Sequence, residues 1–304
     1  MLRRMLAGAF GALLAAAGVE IWRELHSFSV TEYAAELPDE SGKDEERKVL
    51  FLSDLHNRSY GKDNEKLLDA IRRQKPDLIL IGGDMPVGKP GVSPEPALHL
   101  VSRLTRLCPV CYAAGNHESR MKERKDLYGD VFPAYRQALE ARGVLFLENE
   151  SRTLRIKGRP IRICGLELPL STYRKFRKEH LTAKDICSYV GPCGDAEEGD
   201  RPYTVLLAHN PAYMDAYLDW GADLILSGHL HGGLVRIPCL GGVVTPQGFL
   251  FPRYSGEMTK VGGSTVIVSR GLGTHTLNIR LFNRPELVVI RLKEKGSAPV
   301  KKRL

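Results

Sequence analysis

At 304 residues, with 43% hydrophobic and 26% charged side chains, the chain has the make-up of a globular protein, which excludes a disordered or fibrous class. Lysine and arginine exceed aspartate and glutamate by 44 − 36 = +8, a surplus suited to phosphorylated substrates or the acidic face of a membrane. No run interleaves basic with aromatic residues as a single-strand platform would, so nucleic acid is not an expected partner.

The N-terminus differs from the rest. Arg3 and Arg4 precede residues 5–19, which carry no charge, and Glu20 closes the stretch. A spanning helix needs roughly 20 apolar residues, so this one is short. Residues 1–22 are expected to be an uncleaved signal anchor, with the arginines inside and the remaining chain outside the cell membrane. The second reading is a signal cleaved near Ala15-Ala16-Ala17, giving a secreted protein; the third is a buried amphipathic helix. Residues 23–48 then read as an edge strand over 26–37 and a charged linker over 38–48.

From residue 49 to 292 the pattern is that of one α/β domain. Short apolar runs at 49–52, 77–81, 110–114 and 144–147 read as buried strands. Helical spacing at 64–74, 98–107 and 132–142 falls between them, which implies parallel βαβ units. Leu154-Arg155-Ile156 and Ile161-Arg162-Ile163 alternate around Gly158, predicting an antiparallel hairpin. Residues 169–201 are polar and turn-rich, an insertion with a helix expected near 173–180 and a possible cap. Strand 203–208, helix 212–220 and strand 223–226 restore the earlier rhythm, and 266–269 and 287–290 look like further strands. The basic tail, 293–304, is expected to lack structure. Of six cysteines, Cys108 and Cys111 have redox-motif spacing but sit in an apolar run, which favours core packing. Cys187 and Cys193 would pair in an oxidising space.

The chemistry lies where the apolar runs end. Residues 50–53 run into Asp54-Leu55-His56, and 78–81 into Gly82-Gly83-Asp84. Residues 110–114 run into Gly115-Asn116-His117-Glu118, 204–208 into His209-Asn210, and 224–227 into Gly228-His229-Leu230-His231. Ligands of open parallel sheets sit beyond the carboxyl ends of strands, so five strands deliver these side chains to one rim. Singly, the other fragments suit a helix cap or a tight turn, while Gly228-His229-Leu230-His231 alone favours a metal, since two imidazoles two residues apart can converge on one ion. In this order, all after strands, they point to one metal centre.

The series Asp-X-His, Gly-Asp, Gly-Asn-His-Glu, His, Gly-His-X-His resembles the calcineurin-like metallophosphoesterase superfamily. Ser53-Asp54-Leu55-His56-Asn57 with Tyr60-Gly61, and Gly228 through Gly233, resemble its YkuE-type branch, whose members are often membrane-anchored or exported. The resemblance implies a four-layer α/β/β/α sandwich over 49–292. It places Asp54, His56 and His231 on a first divalent ion and Asn116, His209 and His229 on a second, with Asp84 bridging both. Two such ions bring +4; two carboxylates and a bridging hydroxide leave +1 to attract phosphate. Imidazole and oxygen ligands suit manganese, iron or zinc, with manganese first.

The implied reaction is hydrolysis of a phosphoester or pyrophosphate by metal-bridging hydroxide, on a small-molecule, membrane-associated or lipid-linked substrate. His117 would donate a proton to the leaving group or stabilise charge on phosphate, with Glu118 orienting it or serving as a helix-start charge. Arg58, Arg120 and Arg236 are candidates for phosphate contact, and Arg174, Lys175, Arg177 and Lys178 for a cap. Gly165-Leu166-Glu167-Leu168-Pro169 departs from the branch's aspartate pair. A nuclease or cyclic-nucleotide phosphodiesterase is the first rival, and a catalytically silent scaffold the second.

Overall fold

The computed structural model describes residues 1–38, 45–194, 201–233, 235–237, 240–274 and 278–294. Helix α1 (Leu2–Leu25) leads into β1 (Ser29–Leu37) and β2 (Arg47–Leu52). There follow α2 (Glu65–Gln74), β3 (Leu78–Ile81), α3 (Glu95–Leu104), β4 (Val110–Ala113), α4 (Asn116–Glu123), α5 (Lys125–Tyr128), α6 (Val131–Glu140) and β5 (Val144–Leu147). Next come β6 (Glu150–Ile156), β7 (Arg159–Leu166), α7 (Ala183–Val190), β8 (Tyr203–Ala208), α8 (Met214–Trp220) and β9 (Leu224–Ser227). The small pair β10 (Arg236–Ile237) and β11 (Gly241–Gly242) precedes β12 (Met258–Val261), β13 (Ser264–Val268) and β14 (Glu286–Glu294).

Two six-stranded sheets result, ordered β1-β14-β2-β3-β4-β5 and β12-β13-β9-β8-β7-β6. In the first, β2 to β5 run parallel, while β14 is antiparallel to β2 and carries β1 at the edge. In the second, β7, β8, β9 and β13 run parallel, with β6 and β12 antiparallel at the two edges. The β6–β7 hairpin turns through Lys157 and Gly158, both at positive φ (47° and 77°), the twist that matches flanking strands.

Alternation along each strand divides the apolar residues among layers. Val49 and Phe51 face the other sheet, meeting Ile163, Val205 and Leu207, whereas Leu50 and Leu52 face outward to Leu67, Leu100 and Leu139 of the helices. Leu206 and Ile225 point the opposite way, to Ile186, Tyr217 and Trp220 beneath α7 and α8. The architecture is therefore the expected α/β/β/α sandwich. Its stability rests on those layers: a fully buried leucine contributes about 2 kcal/mol, an exposed ion pair about 0–1 kcal/mol.

Three expectations change. The insertion has no helix over 173–180; a single 3-10 turn, Leu170–Tyr173, is followed by extended chain, and α7 begins later. A run of cations from Arg174 to Lys178 offers no apolar face, whereas the Thr182–Asp185 capping box supplies a start signal for α7. Cys187 and Cys193 are free thiols, and Cys239 lies outside the described residues. The N-terminal stretch is not a buried helix: Arg3–Leu25, of mean hydropathy 1.7, exposes its apolar side chains, and burial begins only at Glu24 and Leu25. Residues 39–44 of the linker and the tail from 295 also lie outside the described residues.

Candidate metal centre

The strands present their terminal side chains through left-handed turns. Asp54, His56, Asp84, His229 and His231 have φ of 53°, 48°, 54°, 67° and 49°. Non-glycine residues in that region cost about 1–3 kcal/mol each and persist only where surrounding structure holds them. Two glycines make the crowding possible. A Cβ on Gly115 would strike the Asp84 carboxylate, and one on Gly228 would strike that of Asp54. These are the glycines of the Gly-Asn-His and Gly-His-X-His motifs, and each is needed for close approach rather than for its own φ.

The turns bring β2, β3 and β4 of one sheet together with β8 and β9 of the other. Three groupings form, Asp54–His56–His231, His56–Asp84–His117 and Asp84–His209–His229, each with ligand atoms within 4.8 Å of one another. Asp54 Oδ1 lies 3.4 Å from His231 Nε2, and Asp84 Oδ2 lies 3.2 Å from His209 Nε2 and 3.9 Å from His56 Nε2. His56 Nε2 and His231 Nε2 face each other at 3.1 Å. Two nitrogens at ~2.1 Å from one ion and at a right angle stand ~3.0 Å apart, so this spacing fits a shared cation. Asn116 opens α4 between Gly115 and His117; its Oδ1 is buried and meets no hydrogen-bond partner. A neutral, desolvated carbonyl oxygen of that kind is costly unless a cation receives it.

Charge argues the same way. Burial, with Asp84 adding to it, raises the Asp54 carboxyl to about 6. Burial also opposes ionisation of Asp84, but the His209 imidazole facing it holds its carboxyl well below the usual range. For His209 burial opposes the charged form, yet the Asp84 and Asp54 carboxylates outweigh it and raise the imidazole to about 10. Two buried carboxylates thus recruit positive charge. Because the folded value for Asp54 lies above its unfolded 3.8, stability of the metal-free protein is lost as pH rises through the window from about 4 to 6. Asp54→Asn is expected to melt several degrees above the parent at pH 7.5 in chelator. That gap should close at pH 4, as thermal unfolding followed by circular dichroism would show; equal melting at pH 7.5 would contradict it.

Hydrogen bonds to the Nδ1 atoms divide the histidines into two kinds. His209 Nδ1–H donates to the Gly82 carbonyl at 2.6 Å, whereas His231 Nδ1 faces both the Gly273 carbonyl at 3.3 Å and the donating Arg280 guanidinium at 3.5 Å. A carbonyl only accepts, so the neutral His209 ring carries its lone pair on Nε2, the ligand tautomer. His117 is reversed: its Nδ1 accepts the Gly88 N–H at 2.8 Å, so its Nε2 bears the proton. His117 Nε2 lies 4.0 Å from Asp84 Oδ2.

Several supporting residues escape a reading of the sequence. Glu118 does not orient His117 through any hydrogen bond seen here. Its carboxylate accepts the N–H groups of Asp84 (2.8 Å), Met85 (3.0 Å) and Gly115 (3.0 Å) and the Tyr112 hydroxyl (2.5 Å), locking the Asp84 turn to the start of α4. The capping-box spacing made half of that legible. Arg280 is fully buried and donates to the carbonyls of Arg270 (2.7 Å) and Gly273, the latter being the acceptor of His231. No motif marks it. Asn283 donates to the His231 carbonyl at 2.7 Å and to that of Gly233. The Tyr173 ring packs edge-on to His229 at 5.0 Å, and Asn210 ties the Thr172 carbonyl to the His209 strand end at 3.2 Å. Among the arginine candidates, Arg236 is committed to the carbonyls of Gly232 and Ser255 (3.0 Å each) and to Glu257. Arg58 lies over Tyr60, and Arg120 reaches the Gly88 carbonyl at 3.5 Å. Glu167 binds Ser119 (2.8 Å) and Lys122 (2.7 Å), joining β7 to α4.

Residues 47–233, more than half of the chain, match the family model described as calcineurin-like phosphoesterase. Phosphodiesterase YaeI of Escherichia coli is 29% identical over 251 residues, spanning 81% of this chain and 82% of that protein. The uncharacterized metallophosphoesterase YkuE of Bacillus subtilis is 28% identical over 304 residues, spanning 96% and 97%. Among solved structures, a phosphopantetheinyl hydrolase from Mycobacterium tuberculosis superposes with a TM-score of 0.46 at 15% identity, covering 84% of this chain and 99% of that one.

Proposed function

The chain belongs to the calcineurin-like phosphoesterase family and is a metal-dependent phosphoesterase, and from that premise we propose a dinuclear hydrolase whose cage is built on Asp84. Asp54, His56 and His231 hold one divalent ion, Asn116, His209 and His229 the other, and Asp84 is shared. The observation that carries this reading is that Asp84 Oδ2 stands 3.9 Å from His56 Nε2 of the first set and 3.2 Å from His209 Nε2 of the second, while the Gly82 carbonyl on Nδ1 leaves the lone pair of the neutral His209 ring on Nε2. When bound, a pair of divalent ions, manganese first among manganese, iron and zinc, supplies Lewis acidity and a water acidified into the neutral range. The protein's own part is positional. Glu118 and Asn283 fix the two turns, the glycines at 115 and 228 let carboxylates approach, and His117 offers an Nε2–H to a phosphate oxygen.

The same reading makes α1 a membrane anchor with the catalytic body outside, acting on a phosphorylated small molecule or a membrane-associated, lipid-linked ester. A relative bearing the name phosphodiesterase makes diesters the first substrates to try. The test is hydrolysis of an aryl phosphodiester beside an aryl phosphomonoester, with manganese and with chelator. Turnover of one ester that needs manganese and stops with chelator is expected. Inertness toward both with the ions bound would leave the silent-scaffold reading standing, and a rate untouched by metal removal would sink the two-ion centre.

A further inference from the structure

A belt of apolar loop tips reaches the end of α1 through Phe282. Phe176, Leu240, Leu250, Phe251 and Phe282 are 77%, 67%, 66%, 56% and 58% exposed. Exposed apolar residues scattered singly need no explanation, but a connected set does. These are connected. The Phe176 ring occupies the space a side chain on Gly248 would enter, and its N–H donates to the Gln247 carbonyl. Leu250 bridges to Val244, and the Phe251 N–H donates to the Val243 carbonyl. Leu240 and Phe282 line one surface cavity together with Arg253. Phe282 precedes Asn283, whose N–H donates to both carboxylate oxygens of Glu24 at 2.9 and 3.0 Å. The belt therefore continues into the last turn of the apolar helix Arg3–Leu25.

Strain and charge separate this surface from an ordinary one. Phe176, Phe251 and Phe282 have φ of 54°, 46° and 55°, a left-handed conformation that is an outlier for a bulky residue. Each costs on the order of 1–3 kcal/mol, and an exposed ring recovers little of that by packing. Around the tips stand exposed cations, Arg174, Lys175, Arg177 and Lys178 beside Phe176 and Arg253 beside Phe251, against the exposed carboxylates of Glu257, which pairs with Arg236, and of Asp215, which shares a cavity with Lys178 and Arg253. Apolar tips ringed by cations fit the headgroup region of an anionic bilayer, where each cation contributes about 1 kcal/mol.

We propose that this belt is a second membrane contact: the loop tips enter the surface of an anionic bilayer on the side where α1 ends. The catalytic body is thereby docked instead of swinging on its anchor. Since Asn283 also donates to the His231 carbonyl, the docked face lies one residue from the support of the metal turn. The proposal rests on α1 being the anchor and is independent of what the metal centre hydrolyses.

The full chain is reconstituted into vesicles of phosphatidylcholine and phosphatidylglycerol carrying brominated phospholipid, and tryptophan emission is recorded. In a Trp220→Phe background, which removes the chain's second tryptophan, native Trp22, 64% exposed on α1, reports insertion of the helix. Phe251→Trp and Leu240→Trp report the belt, and Leu127→Trp, at a position 48% exposed on α5, serves as the distant control. The added emission at 251 and 240 should be blue-shifted and quenched to the same fraction as Trp22, with none lost at 127. Quenching of Trp22 alone would mean that the belt faces water or another protein, and the proposal falls. Unquenched Trp22 would remove the anchor and the proposal with it. Retained aryl phosphate hydrolysis in detergent shows that the variants fold, and this readout separates a failure here from a failure of the phosphoesterase assignment.

Discussion

Asp84→Ala is expected to release both ions and to lower hydrolysis by at least about 10³-fold, since metal charge stabilisation is worth several kcal/mol and each 1.36 kcal/mol is tenfold. His56 also belongs to two groupings, but Asp84 Oδ2 reaches both ligand sets, 3.2 Å from His209 Nε2 and 3.9 Å from His56 Nε2. Its second oxygen accepts the His117 N–H at 2.8 Å, so the carboxylate also fixes the start of α4. Loss of this group therefore removes a shared ligand and loosens the turn that carries Asn116 and His117. Asp84→Asn separates those effects. It keeps the shape and an acceptor oxygen but removes the charge, so it should preserve the melting temperature in chelator better than alanine while still failing to hold two ions. Metal content by mass spectrometry, beside turnover, decides the matter. Two ions per chain and an unchanged rate in Asp84→Ala would dissolve the shared-ligand arrangement.

Much of this site could be read from the chain because its ligands are local to strand ends. A strand buried on both faces shows as an apolar run, and the first polar residue after it is conspicuous; Asp54, Asp84, Asn116, His209 and His229 all stand at or near that position. The two sheets followed for the same reason, since runs such as Leu78–Ile81 and Leu224–Ser227 admit no solvent-facing side. What stayed hidden depends on contacts distant in sequence. Arg280 supports His231 across 49 positions, and Glu24 reaches Asn283 across 259, separations at which no periodicity or spacing rule operates. The misplaced insertion helix has a different cause. Lysines and arginines such as those at 174–178 favour helices in general, yet the structure holds Phe176 at a left-handed angle and begins α7 where Thr182 can accept the Asp185 N–H. The edge strand β12 was missed because Met258–Val261 is half-exposed along its length and lacks an apolar run.

His117→Ala should keep both ions and reduce turnover by about 10²–10³-fold, the usual effect of deleting one donor to developing charge. The Gly88 N–H occupying Nδ1 makes His117 a neutral ring with its proton on Nε2, a tautomer set by backbone and not by any acidic side chain. Such a ring stabilises a phosphate oxygen by donating a hydrogen bond; as an acid it would have to surrender its only ring proton and become an anion. The two roles differ in how they respond to the leaving group. A proton donor matters little when the departing oxygen is an acidic nitrophenol and greatly when it is an alkanol, whereas a donor to a non-departing oxygen matters equally for both. The structure therefore predicts the same fractional loss for nitrophenyl and alkyl esters. His117→Gln, which retains an N–H donor, should recover part of the rate on each. A deficit confined to the alkyl ester would instead assign His117 to protonation of the leaving group, and the backbone contact at Gly88 would then have to be absent in the working enzyme.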